Sequence, residues 1–270
     1  MSDDDPYAPP QSRVESVKVA VDDRWQLLEP RSCSFDRGMG WIADGWRLFM
    51  ASPGIWMVNF VIVAVITLVL GVIPLVSIIG NILGPVFTAG LLFGSRQLDE
   101  HGALQVEHLF SGFSENGGKL AGLGALTIAM GIGIALIMIV LLFAVVGSVA
   151  LTESAADPSQ LGLSAILVVL VVVGLTVPIL MAYWFAPALI VFHDVGIFDA
   201  LKLSFVGCLR NMLPFLAYGL VMTVALIVAL LPFLLGLLVL VPVIFGSMYA
   251  SYRDVFTQPP GDTLLGGPRA

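Results

Sequence analysis

Two acid and histidine pairs seven residues apart, Glu100 with His101 and Glu107 with His108, are the side chains here whose types first suggest chemistry. Imidazole and carboxylate together bind zinc, and on one continuous helix both histidines would face the same way. Seven residues is too long for chelation from adjacent turns, and Gly102 interrupts the helix, so a solvated loop is expected and no metal site is assigned. His193 with Asp194 is a third pair, in which the acid favours a protonated imidazole; no serine or cysteine partner is indicated to make it catalytic. Asn59, Tyr183 and Trp184 bring polar tips into otherwise apolar runs. They suggest a ligand cavity, set against a packing role in which the tips meet carbonyls freed by nearby prolines. Neither a catalytic residue nor a cofactor is expected from this inventory.

The elements that must position these residues are membrane helices. At 270 residues the chain is 58% hydrophobic and only 11% charged, with a mean hydropathy of +0.99, far from the quarter of charged residues usual in soluble domains. All 12 Lys and Arg residues lie outside three stretches, 48–95, 120–201 and 211–252. The net charge of −7 comes largely from the N-terminal region, where acids outnumber bases. Clustered Lys and Arg, which phosphate contacts need, are lacking, so nucleic acid is not an expected partner. Residues 1–34 read as an acidic, disordered cytoplasmic segment without an apolar signal region, and 257–270 as a flexible Pro/Gly-rich tail. Cys33 and Cys208 fall on the basic side and are expected to be free thiols.

A hydrocarbon core about 30 Å thick takes roughly 20 helical residues to cross. The runs 55–95 and 213–252 each hold two crossings, with turns near Pro74–Asn81 and Pro232–Gly236. The middle stretch holds two longer runs separated by Glu153, Asp157, Pro158 and Ser159. Basic residues mark the cytoplasmic face, so this acidic loop belongs to the far side. The expected architecture is an all-α integral membrane protein of six transmembrane helices, at 55–76, 80–98, 120–146, 163–192, 213–232 and 235–254, with both termini cytoplasmic.

Three units resemble one another. Pro74 and Pro85, Pro178 and Pro187, and Pro232 and Pro242 form proline pairs about ten residues apart, at or inside the second helix of each unit. Small residues follow or flank them at helical spacing, Gly90 and Gly94, Ala182 and Ala186, Gly246 and Ala250, and small residues four apart let helices approach closely. Gly117, Ala121, Ala125, Ala129 and Gly133 form a longer ladder of that kind. Short amphipathic pieces precede the hairpins, at 35–52, 104–114 and 197–211, as interfacial helices require. The first shows a stripe of Phe35, Met39, Ile42, Trp46 and Phe49. Three units of interfacial helix plus two-helix hairpin share one orientation and are therefore parallel repeats.

The segments Gly40-Trp41-Ile42, Gly45-Trp46-Arg47-Leu48-Phe49 and Pro53-Gly54-Ile55-Trp56, with Tyr183-Trp184-Phe185-Ala186-Pro187, Ser204-Phe205, Asn211 and Tyr249-Ala250-Ser251-Tyr252-Arg253-Asp254, resemble a family of uncharacterised six-span proteobacterial inner-membrane proteins. The likeness covers residues 35–256. It implies a bacterial inner-membrane location and no particular activity. With no ionisable residue deep in the runs, the expected function is a non-enzymatic scaffold, assembly or membrane-organising role. The expected partners are membrane lipids and other membrane proteins or further copies of the chain. A carrier or channel for an uncharged or lipid-like ligand is the alternative.

Overall fold

The computed structural model describes residues 26–151 and 158–257. Within them the secondary structure is helical: α1 (Arg37–Ala51), α2 (Pro53–Val72), α3 (Pro74–His101), a 3₁₀ turn (Val106–Phe110), α4 (Ser111–Ser114), α5 (Gly117–Leu151), α6 (Pro158–Trp184), α7 (Ala186–His193), α8 (Ile197–Arg210), α9 (Met212–Leu230) and α10 (Leu237–Phe256).

The breaks follow backbone chemistry. Pro53 opens α2, where its missing N–H removes only a donor without an intrahelical acceptor. Ile73 is extended, as a residue before proline prefers, and α3 starts at once with Pro74. The first hairpin thus turns at a single residue, earlier and more tightly than the turn expected over Pro74–Asn81. Gly102 closes α3 in the left-handed region at φ 68°. Phe185 interrupts the fourth hydrophobic run just before Pro187, dividing it into α6 and α7.

Among the described residues, five segments are long and apolar enough to cross a membrane: Pro53–Val72, Val76–His101, Gly117–Val145, Gly162–His193 and Met212–Leu230. The outer parts of α5 and α6 expose Leu136, Phe143, Leu163 and Leu170, as lipid-facing helices do. With 35 residues, α5 is about 52 Å long, which exceeds the hydrocarbon thickness and requires tilt or protrusion.

The sixth expected span, α10, is not among these five and carries Ser247, Tyr249, Ser251, Tyr252, Arg253 and Asp254 in its last three turns. It tolerates them because every residue from Gly246 to Tyr252 is buried against other helices, where polar groups find protein partners instead of lipid. Gly45 of α1 and Gly246 of α10 meet so closely that a Cβ on Gly246 would lie 2.9 Å from the Gly45 Cα.

The first surface helix has two apolar faces rather than the single expected stripe. Trp41, Gly45, Leu48 and Phe49 are buried against the bundle, while Phe35, Met39, Trp46 and Met50 remain about half exposed. Phe49 therefore belongs to the core. Residues 26–34, expected within the disordered N-terminal segment, instead form an extended strap. Leu28 N donates to Phe256 O and Arg31 N to Val255 O, and Cys33 N donates to Asn211 Oδ1 at 2.7 Å. The rest of the N-terminal segment, the acidic loop at 152–157 and the tail from 258 lie outside the described residues.

Candidate functional site

Charge concentrates where α1, α3 and α10 converge at the basic end. Asp254 accepts from Arg37 Nε at 2.7 Å and from the Trp41 indole at 2.9 Å. Asp99 accepts from Arg253 at 2.6 Å, from Tyr249 Oη at 3.3 Å and from Arg47 at 3.4 Å. Asp44 lies 3.2 Å from Arg37 and 3.9 Å from Arg253. Three guanidinium groups and three carboxylates balance, so the cluster forms an internal clasp, tightest at Arg37 with Asp254 and Arg253 with Asp99 and loosest at the exposed Arg47. Hydrogen bonds to charged groups contribute about 1.5–3 kcal/mol each when sheltered; the half-exposed Arg37 and Arg47 contribute less. Burial opposes the charge on Arg37, but Asp254 and then Asp44 more than offset it and raise its pKa.

Beside the clasp, the second helices of the hairpins close around aromatic residues. Arg96 lies over the Phe192 ring at 5.4 Å, Phe192 packs on Tyr252 at 5.3 Å, and the His193 ring nitrogen meets the Tyr252 hydroxyl. Asp194, the neighbour expected to charge His193, is taken by Lys119 at 2.6 Å. Leu92, Phe185, Leu189, Tyr249 and Tyr252 are fully buried, so this end of the bundle is packed shut.

The acid and histidine pairs separate as the glycine break implies. Glu100 pairs with Arg96, whereas His108 Nδ1 accepts the Gln105 backbone N–H at 3.2 Å and caps the 3₁₀ turn. No group of three or more potential metal ligands occurs among the described residues. Cys33 and Cys208 are free. Burial, with a contribution from Asp254, pushes the Cys33 thiol up to about 11, and burial raises Cys208 to about 12.

Asn59, Tyr183 and Trp184 each pack against neighbouring helices. Trp184 packs edge-on against Phe215 and Tyr218 of α9 and reaches Ser251 at 3.4 Å. Tyr183 interacts with Thr88. Asn59 is buried on α2, which packs on α3 and α10, and its Oδ1 accepts no hydrogen bond. The small residues divide by position. A Cβ on Gly90 would lie 2.0 Å from Leu109 O, and one on Gly94 2.8 Å from the Leu104 side chain, so both lie under the surface piece of the next unit. Ala186 and Ala250 are buried and Ala182 half-buried. In the long ladder, Gly117 approaches Gly112 O, Ala121 is half-buried, Ala125 and Ala129 are exposed, and Gly133 has open space around it. The close approach of α5 to α3 uses Gly124, where a Cβ would lie 2.3 Å from Ile82 O.

A cavity does exist elsewhere. A groove of about 720 Å³ runs along α2 from Trp56 to Val72, walled by Leu91 of α3 and by Val241, Pro242 and Phe245 of α10. Thr67 is the only lining residue with a hydroxyl. Sequence periodicity carried no signal for it, because it depends on how α2, α3 and α10 come together.

Residues 119–265, more than half of the chain, match the family model described as a domain of unknown function, DUF7847. A "probable inner membrane protein" of Burkholderia thailandensis is 35% identical over 114 residues, covering 36% of this chain and 42% of the relative. The chain thus matches less than half of that relative's length. No solved structure matches significantly. The apolar helices and the relative's name together support a multi-pass inner-membrane location. By the extent of the family match, the chain belongs to the DUF7847 family of uncharacterised membrane proteins.

Proposed function

We propose that the protein is a non-enzymatic membrane-organising scaffold with six spans, both termini in the cytoplasm and three parallel repeats interlocked at the cytoplasmic face. The observation that carries this reading is how the surface pieces dock. Each lies on the second helix of the preceding unit, and the first lies on the last: α4 on α3, α8 on α6 and α7, and α1 on α10. Two of the contacts are equivalent in detail. A Cβ on Gly45 would lie 2.5 Å from the carbonyl of Val243, next to Pro242, and one on Gly112 would lie 2.1 Å from that of Val86, next to Pro85. At the third, the Ser204 hydroxyl donates to Met181 O at 2.7 Å and accepts from Phe185 N at 2.9 Å, at the break between α6 and α7.

Such closure makes a stiff platform out of short helices that would not hold shape alone, and it leaves the exposed Phe35, just before α1, and Met39, Trp46 and Met50 of α1 toward the headgroup region. The shut cytoplasmic end argues against an axial pathway. Isolation from native membranes in lipid nanodiscs, followed by mass spectrometry, tests the reading. A stoichiometric protein partner or a defined self-assembly is expected. A solitary protein that exchanges an uncharged solute across vesicles would overturn it.

A second reading, a carrier for an uncharged or lipid-like ligand, is favoured by one feature: the apolar groove borders Pro242, a position where α10 lacks a backbone donor. Stimulated exchange of a labelled lipid by reconstituted protein would select it.

A further inference from the structure

We infer that the groove between α2 and α10 holds one acyl chain of a membrane phospholipid whose headgroup phosphate lies toward Arg47. The inference needs only the membrane location of α2 and depends on neither functional reading above.

The walls decide the chemistry. Ala64 and Gly71, seven residues apart on one face of α2, leave the space that larger residues would fill, and a Cβ added to Gly71 meets nothing within 4 Å. The lining is apolar apart from the Thr67 hydroxyl, so a polar solute entering would lose its hydrogen bonds to water without replacement. The volume, about 720 Å³, falls in the range of small-ligand sites.

Size separates a lipid chain from a partner helix. From Trp56 to Val72 the groove follows 16 residues of helix rise, about 24 Å. A transmembrane helix of that length and about 10 Å across occupies roughly 2,000 Å³, well over twice the space. One leaflet is about 15 Å deep, so a chain entering from the basic end passes the bilayer midplane to reach Gly71, about 22 Å along α2 from Trp56.

Charge fixes the orientation. The Trp56 indole, at the basic end of the groove, donates to Leu48 O at 3.1 Å, which brings the C-terminal end of α1 over this end. The Arg47 side chain is 62% exposed there, and its ion-pair contacts are loose, 3.4 Å to Asp99 and 3.8 Å to Asp44. It can meet a phosphate without dismantling the tighter Arg253 and Asp99 pair.

The test uses the full chain reconstituted in bilayers of palmitoyl-oleoyl phosphatidylethanolamine and phosphatidylglycerol. Native mass spectrometry after detergent extraction counts retained lipid, and phosphatidylglycerol carrying a diazirine in its acyl chain maps the contact. One retained phospholipid is expected, with adducts concentrated in α2 and α10. Ala64→Trp and Gly71→Leu, which fill the groove, should each lower retention at least fivefold. Val224→Trp, on an exposed face of α9, should leave it unchanged, and Arg47→Gln should weaken retention of phosphatidylglycerol more than of phosphatidylethanolamine. If Ala64→Trp is not monodisperse, Gly71→Leu decides, because a Cβ at Gly71 meets nothing within 4 Å and the backbone need not shift to admit it. Equal retention in wild type and filled variants, adducts spread evenly over α5, α6 and α9, or a retained isoprenoid in place of phospholipid would each overturn the assignment.

Discussion

Gly45→Ala should destabilise the protein although alanine is the better helix former. The added methyl would lie 2.4 Å from Ser247 Oγ, 2.5 Å from Val243 O and 2.7 Å from Ser247 N. Two of these three atoms are backbone of α10 and cannot rotate away. Restoring van der Waals separation means moving α1 off α10 by roughly 1 Å, at an overpacking cost of about 1–3 kcal/mol. Helix propensity returns about 1 kcal/mol. Gly133→Ala collects the same propensity gain with nothing within 4 Å to oppose it. The two variants should therefore differ by about 2 kcal/mol, and at about 2–4 °C per kcal/mol for a chain of this size their apparent melting temperatures should separate clearly. Tryptophan fluorescence during heating in detergent reads this, with size-exclusion chromatography as a check on assembly. Refutation would be Gly45→Ala melting at or above wild type. A fall in Gly133→Ala as large as in Gly45→Ala would instead mean that the Gly117 to Gly133 ladder is buried against another chain.

Further outcomes follow from the same geometry. Asp99→Asn removes the carboxylate that Arg253, Arg47 and Tyr249 share and leaves a largely buried guanidinium with only Asp44 at 3.9 Å. Uncompensated buried charge costs about 3–5 kcal/mol, so this variant should lose monodispersity in detergent while Glu100→Gln, on an exposed pair, should not. Burial, against an opposing effect of Glu107, lowers the His108 pKa from its usual 6.5. The unfolded imidazole takes up its proton at higher pH than the folded one, so the stabilisation is full above about 6.5 and is lost as pH falls through the folded value. Hydrogen exchange should show the Gln105 amide, which donates to His108 Nδ1, losing protection between pH 7.5 and 5; a constant protection factor would contradict this. Raising the Cys33 thiol from 9.0 to about 11 cuts its thiolate fraction about a hundredfold. Cys33 and Cys208 should therefore react with maleimide at least tenfold more slowly than a cysteine placed at exposed Ser34, and comparable rates would refute the burial.

The helices were largely legible because lipid imposes long apolar runs. The first surface helix was legible as amphipathic but not as two-faced, because a stripe read from sequence cannot tell lipid from protein as its apolar neighbour. Trp46 and Phe49 differ only in that respect. The clasp escaped sequence reading altogether. Asp254 and Arg37 lie 217 positions apart, and the segment that carries a family resemblance around Asp254 does not indicate its partner. Pro85 and Pro242 did mark two of the docking points, since the carbonyls beside them meet Gly112 and Gly45. On α5 the close approach to α3 is made by Gly124, one position off the Gly117 to Gly133 ladder, and a shift of one residue turns a helix by about 100°, so the ladder presents a different face. The groove is lined from three helices, α2, α3 and α10, whose mutual packing local pattern does not encode.

The central claim, six spans in parallel units with their interlocked face in the cytoplasm, is most directly tested by labelling intact spheroplasts with a membrane-impermeant maleimide. Single cysteines would replace Ile73 at the first hairpin turn, Phe233 at the last and Gln105 in the surface piece between them. Ile73→Cys and Phe233→Cys should label from outside, and Gln105→Cys only after lysis. External labelling of Gln105→Cys, or failure of both turn cysteines to label before or after lysis while the protein remains folded, would contradict the account.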